Sequence, residues 1–224
     1  NKIGLYTAVD ELGEADYVAS KAENLIKGGA RPEEIAVLYR ANFQSRALEE
    51  AFMNRGISYQ LLGTRFFERK EVKDIVSYLR AALNPESLSD TKRIINVPAR
   101  GIGKTTILKI FSGQEEDLPQ AMRVKIENFK KLLGEIEEFS QKKNPSETIS
   151  FIIKHTRLEE EWKTGGEEGA ARLENAYELA NFASRYNNLS PEEGILNFLS
   201  DAALQSDQDE LRENNKAVKL MTIH

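Results

Sequence analysis

The sequence has 224 residues, of which 40% are apolar and 30% charged, proportions that are ordinary for a soluble globular protein. It has no cysteine and only two histidines, which excludes a disulfide framework, a thiolate metal site and a conventional catalytic triad. The net charge of −5 and the pI near 5.4 argue against a protein that grips nucleic acid over its whole surface. They leave room only for local basic patches.

The length allows one large domain or two small ones. No run approaches the roughly 18 apolar residues of a membrane span, and no signal peptide opens the chain, so we expect a cytoplasmic location. The chain begins without methionine at Asn1 and stops at His224, directly after the apolar-rich run Val218–Ile223. This ending suggests a piece of a longer protein.

The first part of the chain alternates strand patterns with helix patterns. The predicted strands are Ile3–Val9, Ile35–Tyr39 and Ser58–Leu62. Two predicted helices lie between them, Glu14–Lys27 and the segment that ends at Phe52. An alternation of the type β-α-β-α-β is typical of a parallel sheet covered by helices.

From Gly63 the signals are almost wholly helical. The predicted helices are Glu71–Leu83, Asp90–Asn96, Thr105–Phe111, Ala121–Lys142, Ser146–Thr156, Glu168–Tyr186 and Pro191–Leu204, the last opened by a capping box at Ser190–Glu193. Residues 206–215 are acidic and are expected to form a linker before a last strand over Val218–Ile223. A helical block inserted between strands of one sheet is the economical interpretation.

The segment Ile35–Phe52 is predicted to form a strand, a loop and a helix. In open α/β sheets ligands collect outside the carboxyl ends of the strands, which is where Tyr39 and Arg40 fall. Arg40 is either a solvent-facing charge that ends the strand or an arginine aimed at phosphate, which its planar guanidinium meets with two hydrogen bonds. Tyr39 either stacks on a base or is simply packed.

The segment Gly103-Lys104-Thr105 imitates the end of a P-loop. The full pattern requires a glycine where this chain has Pro98, and the residues before it resemble a helix end, so we exclude a P-loop here. A helix-hairpin-helix fits better, because its glycines let backbone amides approach a DNA phosphate while Lys104 and Arg100 add charge. The alternative is a turn between helices whose glycines only supply backbone freedom.

Two further features each have a functional and a structural interpretation. Arg65, Arg69, Lys70 and Lys73 form a small basic patch that a solvated helix face explains equally well. Trp162 is either a platform for base stacking or a core anchor.

Five separated segments together resemble one family. They are similar, in order, to the second half of superfamily 1 DNA helicases of the UvrD, Rep and PcrA type: Ala36–Glu50, Phe66–Asp74, Tyr78–Arg80, Ile95–Gly103 and Val218–His224. The resemblance implies an α/β fold with a large all-helical insertion. A partial RecA-like parallel sheet, domain 2A, would comprise residues 1–115 and 215–224, and a helical domain 2B would comprise residues 116–214.

The resemblance also implies roles for particular residues. Tyr39 would stack on adenine, and Arg40 would touch the γ-phosphate as an arginine finger. The hairpin would meet duplex DNA, and Thr222 with His224 would begin a motif near single-stranded DNA and nucleotide. The implied hairpin residues are Arg100, Gly101, Ile102, Gly103, Lys104 and Thr105.

The implied cofactor is ATP with Mg²⁺, bound jointly with the N-terminal half of the helicase. The implied partners are that half, single-stranded and duplex DNA, and proteins of repair or replication, with no membrane. The family's P-loop, its Mg²⁺-binding acidic motif, a second phosphate-contacting arginine and the Lys-Gly-Leu-Glu continuation after His224 are absent here. We therefore expect no ATP hydrolysis by this chain alone.

Two functions remain open at this point. The first is a fragment of an ATP-dependent 3′-to-5′ DNA helicase, and the second is a stand-alone DNA-binding or protein-interaction module. Tyr39 and Arg40 favour the first, because a pure binding module has no use for an arginine at a nucleotide site.

Overall fold

The computed structural model describes residues 3–41, 43–208 and 216–223. The chain forms two compact units, one within Asn1–Arg69 and Leu204–His224 and the other within Lys70–Ala203. Among the described helices, none is long and apolar enough to cross a membrane.

The first unit is an α/β unit, as the alternating pattern predicts. Its elements are α1 (Glu11–Lys27), β1 (Ala36–Tyr39), α2 (Gln44–Asn54), β2 (Tyr59–Leu62) and β3 (Val218–Thr222), with 3₁₀ turns at Pro32–Glu34 and Phe66–Glu68. Asp10 begins α1 by accepting a hydrogen bond from the Gly13 amide at 2.7 Å, and Gly28 ends it.

The sheet has the order β1-β3-β2, and both pairings are parallel. The strand from the end of the chain is therefore central, and its Val218 and Leu220 are fully buried. The core that these strands share with the two helices comprises Ala15, Ala19, Ala22, Tyr39, Ala47, Leu48, Phe52, Ile57, Tyr59, Leu61, Val218 and Leu220. This core fixes the carboxyl ends of β1 and β3 side by side.

The strand predicted over Ile3–Val9 is wrong. No strand of the described sheet pairs with this segment, and the Ile3, Leu5 and Val9 side chains are exposed. An apolar run becomes a strand only where a neighbouring edge accepts its backbone hydrogen bonds. The segment is instead attached to α1, where the Tyr6 and Tyr17 rings stack with centroids 3.7 Å apart.

The second unit is all-helical, which confirms the helical signals after Gly63. Its helices are α3 (Lys70–Leu83), α4 (Leu88–Ile94), α5 (Lys104–Phe111), α6 (Gln120–Ser140), α7 (Pro145–His155), α8 (Leu158–Lys163) and α9 (Gly166–Ala183), and α10 (Pro191–Gln208) runs from this unit into the first. The compact helical unit begins at Lys70. The boundary at residues 115 and 116 is a different one, the implied start of the 2B insertion, and it stays a prediction.

α3 is the centre of the helical unit and packs against α4, α6, α7 and α9. Its Val72, Ile75 and Leu79 recur at helical spacing and are fully buried. The Trp162 side chain in α8 is 4% exposed, which supports its interpretation as a core anchor.

The close packing of α8 and α9 generates a stability prediction. A Cβ on Gly169 would lie 2.0 Å from the Trp162 carbonyl oxygen, so Gly169→Ala must push the two helices apart. We expect this substitution to lower the free energy of unfolding of the chain by about 1–3 kcal/mol. Chemical denaturation, monitored by circular dichroism, measures this free energy of unfolding.

Gly134 supplies the matched control. It is exposed within α6 and a Cβ there would have no neighbour within 4 Å, so Gly134→Ala should raise the free energy of unfolding by about 0.5–1 kcal/mol. Equal effects of the two substitutions would contradict the packing account.

Candidate nucleotide and DNA sites

The carboxyl ends of β1 and β3 bring two of the predicted site residues together. Tyr39 is the last residue of β1, and its register partner on β3 is Thr222. The Ile223 amide donates a hydrogen bond to the Tyr39 carbonyl oxygen at 3.1 Å, which joins the two strand ends. Arg40 follows immediately, and His224 lies outside the described residues.

Tyr39 is packed into the core of the first unit. Its side chain is 7% exposed, and burial is the main reason that the pKa of its hydroxyl is raised. The negative charge of Glu49 raises that pKa further, while Arg69 opposes the shift. The hydroxyl is therefore neutral at physiological pH, and the placement corresponds to the packed interpretation. Stacking on adenine stays a prediction.

Arg40 is exposed at the tip of β1. Within the described part of the chain its guanidinium has neither a hydrogen-bond nor an ion-pair partner. Its backbone amide donates to Gln44 Oε1 at 3.1 Å, so the main chain is held while the charged end is available. Such a residue can meet an anion without first breaking an existing contact.

Arg69 lies in an environment that its sequence pattern does not predict. Its side chain is 6% exposed instead of lying on a solvated face. The guanidinium donates to Ser45 Oγ at 3.1 Å and to the Thr64 carbonyl oxygen at 3.2 Å, and it lies 5.8 Å from the centroid of the Phe66 ring. The adjacent aromatic pair Phe66-Phe67 was the available signal, because a guanidinium is readily buried against aromatic faces.

The predicted hairpin is present in the helical unit between α4 and α5. Asn96 Oδ1 accepts hydrogen bonds from the backbone amides of Arg100, at 2.8 Å, and Ile102, at 3.1 Å. The Ile102 side chain is buried beneath the turn, and Gly101 has a φ of 70°, which favours glycine. The exposed residues of the hairpin are Gly101, Gly103, Lys104 and Thr105.

Arg100, in contrast, turns its guanidinium inward. Nη1 lies 3.2 Å from the Ile94, 3.4 Å from the Ile95, 3.0 Å from the Val97 and 3.2 Å from the Pro98 carbonyl oxygen. Nη2 donates to the Tyr78 hydroxyl at 2.7 Å. These acceptors belong to the last residue of α4 and to the loop that follows it. The Ile94 oxygen also accepts from the Val97 amide and the Val97 oxygen from Tyr78, whereas Arg100 is the donor to the Ile95 and Pro98 oxygens. The placement favours a structural role, and contact between Arg100 and DNA stays a prediction.

Tyr78 completes this arrangement from α3. Burial raises the pKa of its hydroxyl to about 12, while the neighbouring Arg100 charge limits the rise. The hydroxyl is therefore protonated at physiological pH, and it donates to the Val97 carbonyl oxygen while it accepts from Arg100.

Lys125 is a second cation beside the hairpin, in addition to Lys104. It lies on α6, and a Cβ built on Gly101 would be 2.8 Å from its Nζ. The side chain is exposed, so its ammonium group and that of Lys104 are both accessible. Sequence spacing gives no signal of this proximity, because it arises from the packing of the helices.

A cavity near the hairpin does not suit an anion. A cavity of about 500 Å³ is lined by Pro98, Ala99, Arg100, Thr156, Arg157, Glu160 and Glu161. Its two carboxylates oppose phosphate binding, and Arg157 is paired with Glu160 at 2.8 Å. Within the described residues there is no group of three or more acidic or histidine side chains that could hold a metal ion.

Arg100 generates a prediction that separates stability from DNA contact. Arg100→Ala removes the donor of the Ile95 and Pro98 carbonyl oxygens and should lower the free energy of unfolding by about 2–3 kcal/mol. Arg100→Lys should restore little, because an ammonium group cannot reach the same acceptors at once. Lys104→Ala is the exposed control and should stay within about 0.5 kcal/mol of wild type. An Arg100→Ala chain that unfolds like wild type would contradict the structural role.

Comparison with known proteins places the chain in a family. The profile described as UvrD-like helicase C-terminal domain matches residues 1–224. DNA helicase II of Haemophilus influenzae is 32% identical over 99% of this chain, and ATP-dependent DNA helicase PcrA is 32% identical in Bacillus subtilis and 36% identical in Staphylococcus epidermidis over all of it. The chain spans 33% of the length of each of these relatives. It belongs to the family of UvrD-like helicase C-terminal domains.

Proposed function

We propose that this chain supplies part of the motor of an ATP-dependent 3′-to-5′ DNA helicase, which couples ATP hydrolysis to movement along single-stranded DNA and to unwinding of duplex DNA. The observation that carries the proposal is the accessible Arg40 guanidinium at the carboxyl end of β1, a parallel strand whose last residue, Tyr39, is the register partner of Thr222. The named ATP dependence of the relatives supports it.

Arg40 is assigned to the γ-phosphate of ATP. Charge develops on the phosphoryl group as it leaves, and a guanidinium stabilises that charge with two parallel hydrogen bonds. Mg²⁺ would supply further neutralisation, with ligands from the N-terminal half, since the described residues offer no cluster for it. Tyr39 is assigned to the adenine side of the same site, and Thr222 and His224 to the region between nucleotide and single-stranded DNA.

The hairpin is assigned to the backbone of duplex DNA. Its exposed glycines allow close approach, and Lys104 and Lys125 provide accessible positive charge. Contacts of this kind hold the backbone without reading the base sequence. They also suit a chain with a net charge of −5, because the attraction is confined to one small surface.

The domain assignment follows the same proposal. Residues 1–115 and 215–224 would form motor domain 2A, and residues 116–214 would form the helical insertion 2B. Under this assignment the hairpin belongs to the segment that leads from the motor into the insertion.

The experiment that tests the nucleotide assignment is Arg40→Ala in the full-length protein. We expect the ATPase turnover number on saturating single-stranded DNA to fall by about 10³- to 10⁵-fold, as for other arginine fingers. Arg40→Lys should rescue little, since an ammonium group cannot reproduce the planar contact. Steady-state kinetics measure turnover, and thermal melting checks the fold.

Arg31→Ala is the matched control. Arg31 is an exposed arginine in the same unit, and its partner is Glu34 at 2.7 Å. If Arg40→Ala melts normally and turns over within about threefold of this control, Arg40 is only a surface charge that ends a strand.

The assignment of the hairpin to duplex DNA is tested with two exposed lysines, Lys104 in the hairpin and Lys125 beside it on α6. Lys104→Ala and Lys125→Ala should each weaken duplex binding by the full-length protein uniformly across unrelated sequences, and each should reduce the salt slope of binding by about one. Fluorescence anisotropy at several salt concentrations measures both quantities.

Lys130→Ala serves as the control on the same helix as Lys125, because its ammonium is already held by Glu115 at 2.8 Å. Its salt slope should match wild type. A loss that depends on base sequence would contradict backbone contact.

A further inference from the structure

Gln44 closes the turn that carries Arg40. Its side-chain Oε1 accepts two backbone hydrogen bonds, from the Arg40 amide at 3.1 Å and from the Ala41 amide at 2.9 Å. Its own amide donates to the Ala41 carbonyl oxygen at 3.1 Å. Gln44 is therefore bound to the turn both as a hydrogen-bond acceptor, through its side chain, and as a donor, through its backbone amide.

The position of Gln44 is itself determined by the core. It is the first residue of α2, whose Ala47, Leu48 and Phe52 are buried against the sheet. The next residue, Ser45, is fully buried and accepts a hydrogen bond from Arg69. The amide oxygen of Gln44 thus projects from a helix end that has little freedom to move.

The other side of the turn is equally fixed. The Tyr39 carbonyl oxygen accepts from the Ile223 amide, which attaches the end of β1 to β3. The Arg40 main chain therefore lies between two anchored points, β1 before it and Gln44 after it. The exposed Arg40 side chain can then reach a ligand from a main chain that is held on both sides.

We propose that Gln44 is the positioning residue for Arg40, an inference that rests on the nucleotide role proposed above. Catalysis by a charged group depends steeply on its placement, and an error of about 1 Å can cost on the order of 100-fold in rate. Without the Gln44 oxygen both amides turn to water and the arginine approaches the phosphate from a range of backbone positions. Turnover falls while ground-state affinity for ATP is retained.

The test uses Gln44→Ala in the full-length protein on saturating single-stranded DNA. The turnover number should fall by about 10- to 100-fold, with the Michaelis constant for ATP within about twofold of wild type. Hydrogen exchange of the Arg40 and Ala41 amides should accelerate by about 2- to 10-fold. Gln44→Glu keeps an oxygen acceptor at the same reach and should restore the slow exchange of both amides.

Gln120→Ala is the matched control, because Gln120 is also the first residue of a long helix and is exposed. It should leave turnover and the exchange of Arg40 and Ala41 unchanged. In an Arg40→Ala background, Gln44→Ala should add almost nothing to the loss of turnover, since the residue it positions is gone.

Several results would overturn the inference. An equal further loss in the Arg40→Ala background would mean that Gln44 acts independently of Arg40. Unchanged turnover in Gln44→Ala, in a protein that Arg40→Ala inactivates, would overturn the positioning role and leave the nucleotide assignment standing. Full activity of Arg40→Ala would overturn both, and the amide exchange would still report whether Gln44 holds the turn.

Discussion

The insertion of β3 between β1 and β2 is the constraint on which the arrangement of this chain depends. The Val218 amide donates to the Ser58 carbonyl oxygen on the β2 side, and the Lys219 amide donates to the Ile35 carbonyl oxygen on the β1 side. Adjacent parallel strands cannot be joined by a tight turn, so the chain must leave the sheet after β2 and cross back through a longer connection before β3. Residues that form the helical unit occupy that excursion, and the return places Thr222 beside Tyr39.

Two arginines show how packing decides what the same side chain can do. From the sequence, Arg40 and Arg100 are both candidates for a phosphate contact, and each also has a structural interpretation. Arg40 has an accessible guanidinium at a strand end. The Arg100 guanidinium instead donates to carbonyl oxygens at the end of α4 and in the loop after it, and to the Tyr78 hydroxyl. A guanidinium whose donors are already bound by the protein gains less from a ligand, so Arg40 is the better placed of the two to meet a phosphate.

Much of the fold could be predicted from local patterns. The hydrophobic periods, the capping residues and the glycine stops gave the fold class and most helices within a few residues, because these signals describe the element that carries them. The inward turn of Arg100, the burial of Arg69 and the approach of Lys125 to Gly101 depend on tertiary contacts. The conformation of Ile3–Val9 also depends on tertiary contacts. Its composition is typical of a strand, but no strand of the described sheet pairs with it.

The proposed nucleotide site depends on the β1 turn bringing Arg40 to the phosphate end of ATP. The most direct measurement is a structure of the full-length protein with single-stranded DNA and a non-hydrolysable ATP analogue. We expect the Arg40 guanidinium within about 3 Å of a γ-phosphate oxygen, the distance of a charge-assisted hydrogen bond. A closed, nucleotide-bound structure in which that guanidinium remains in solvent and another group contacts the γ-phosphate in its place would contradict it.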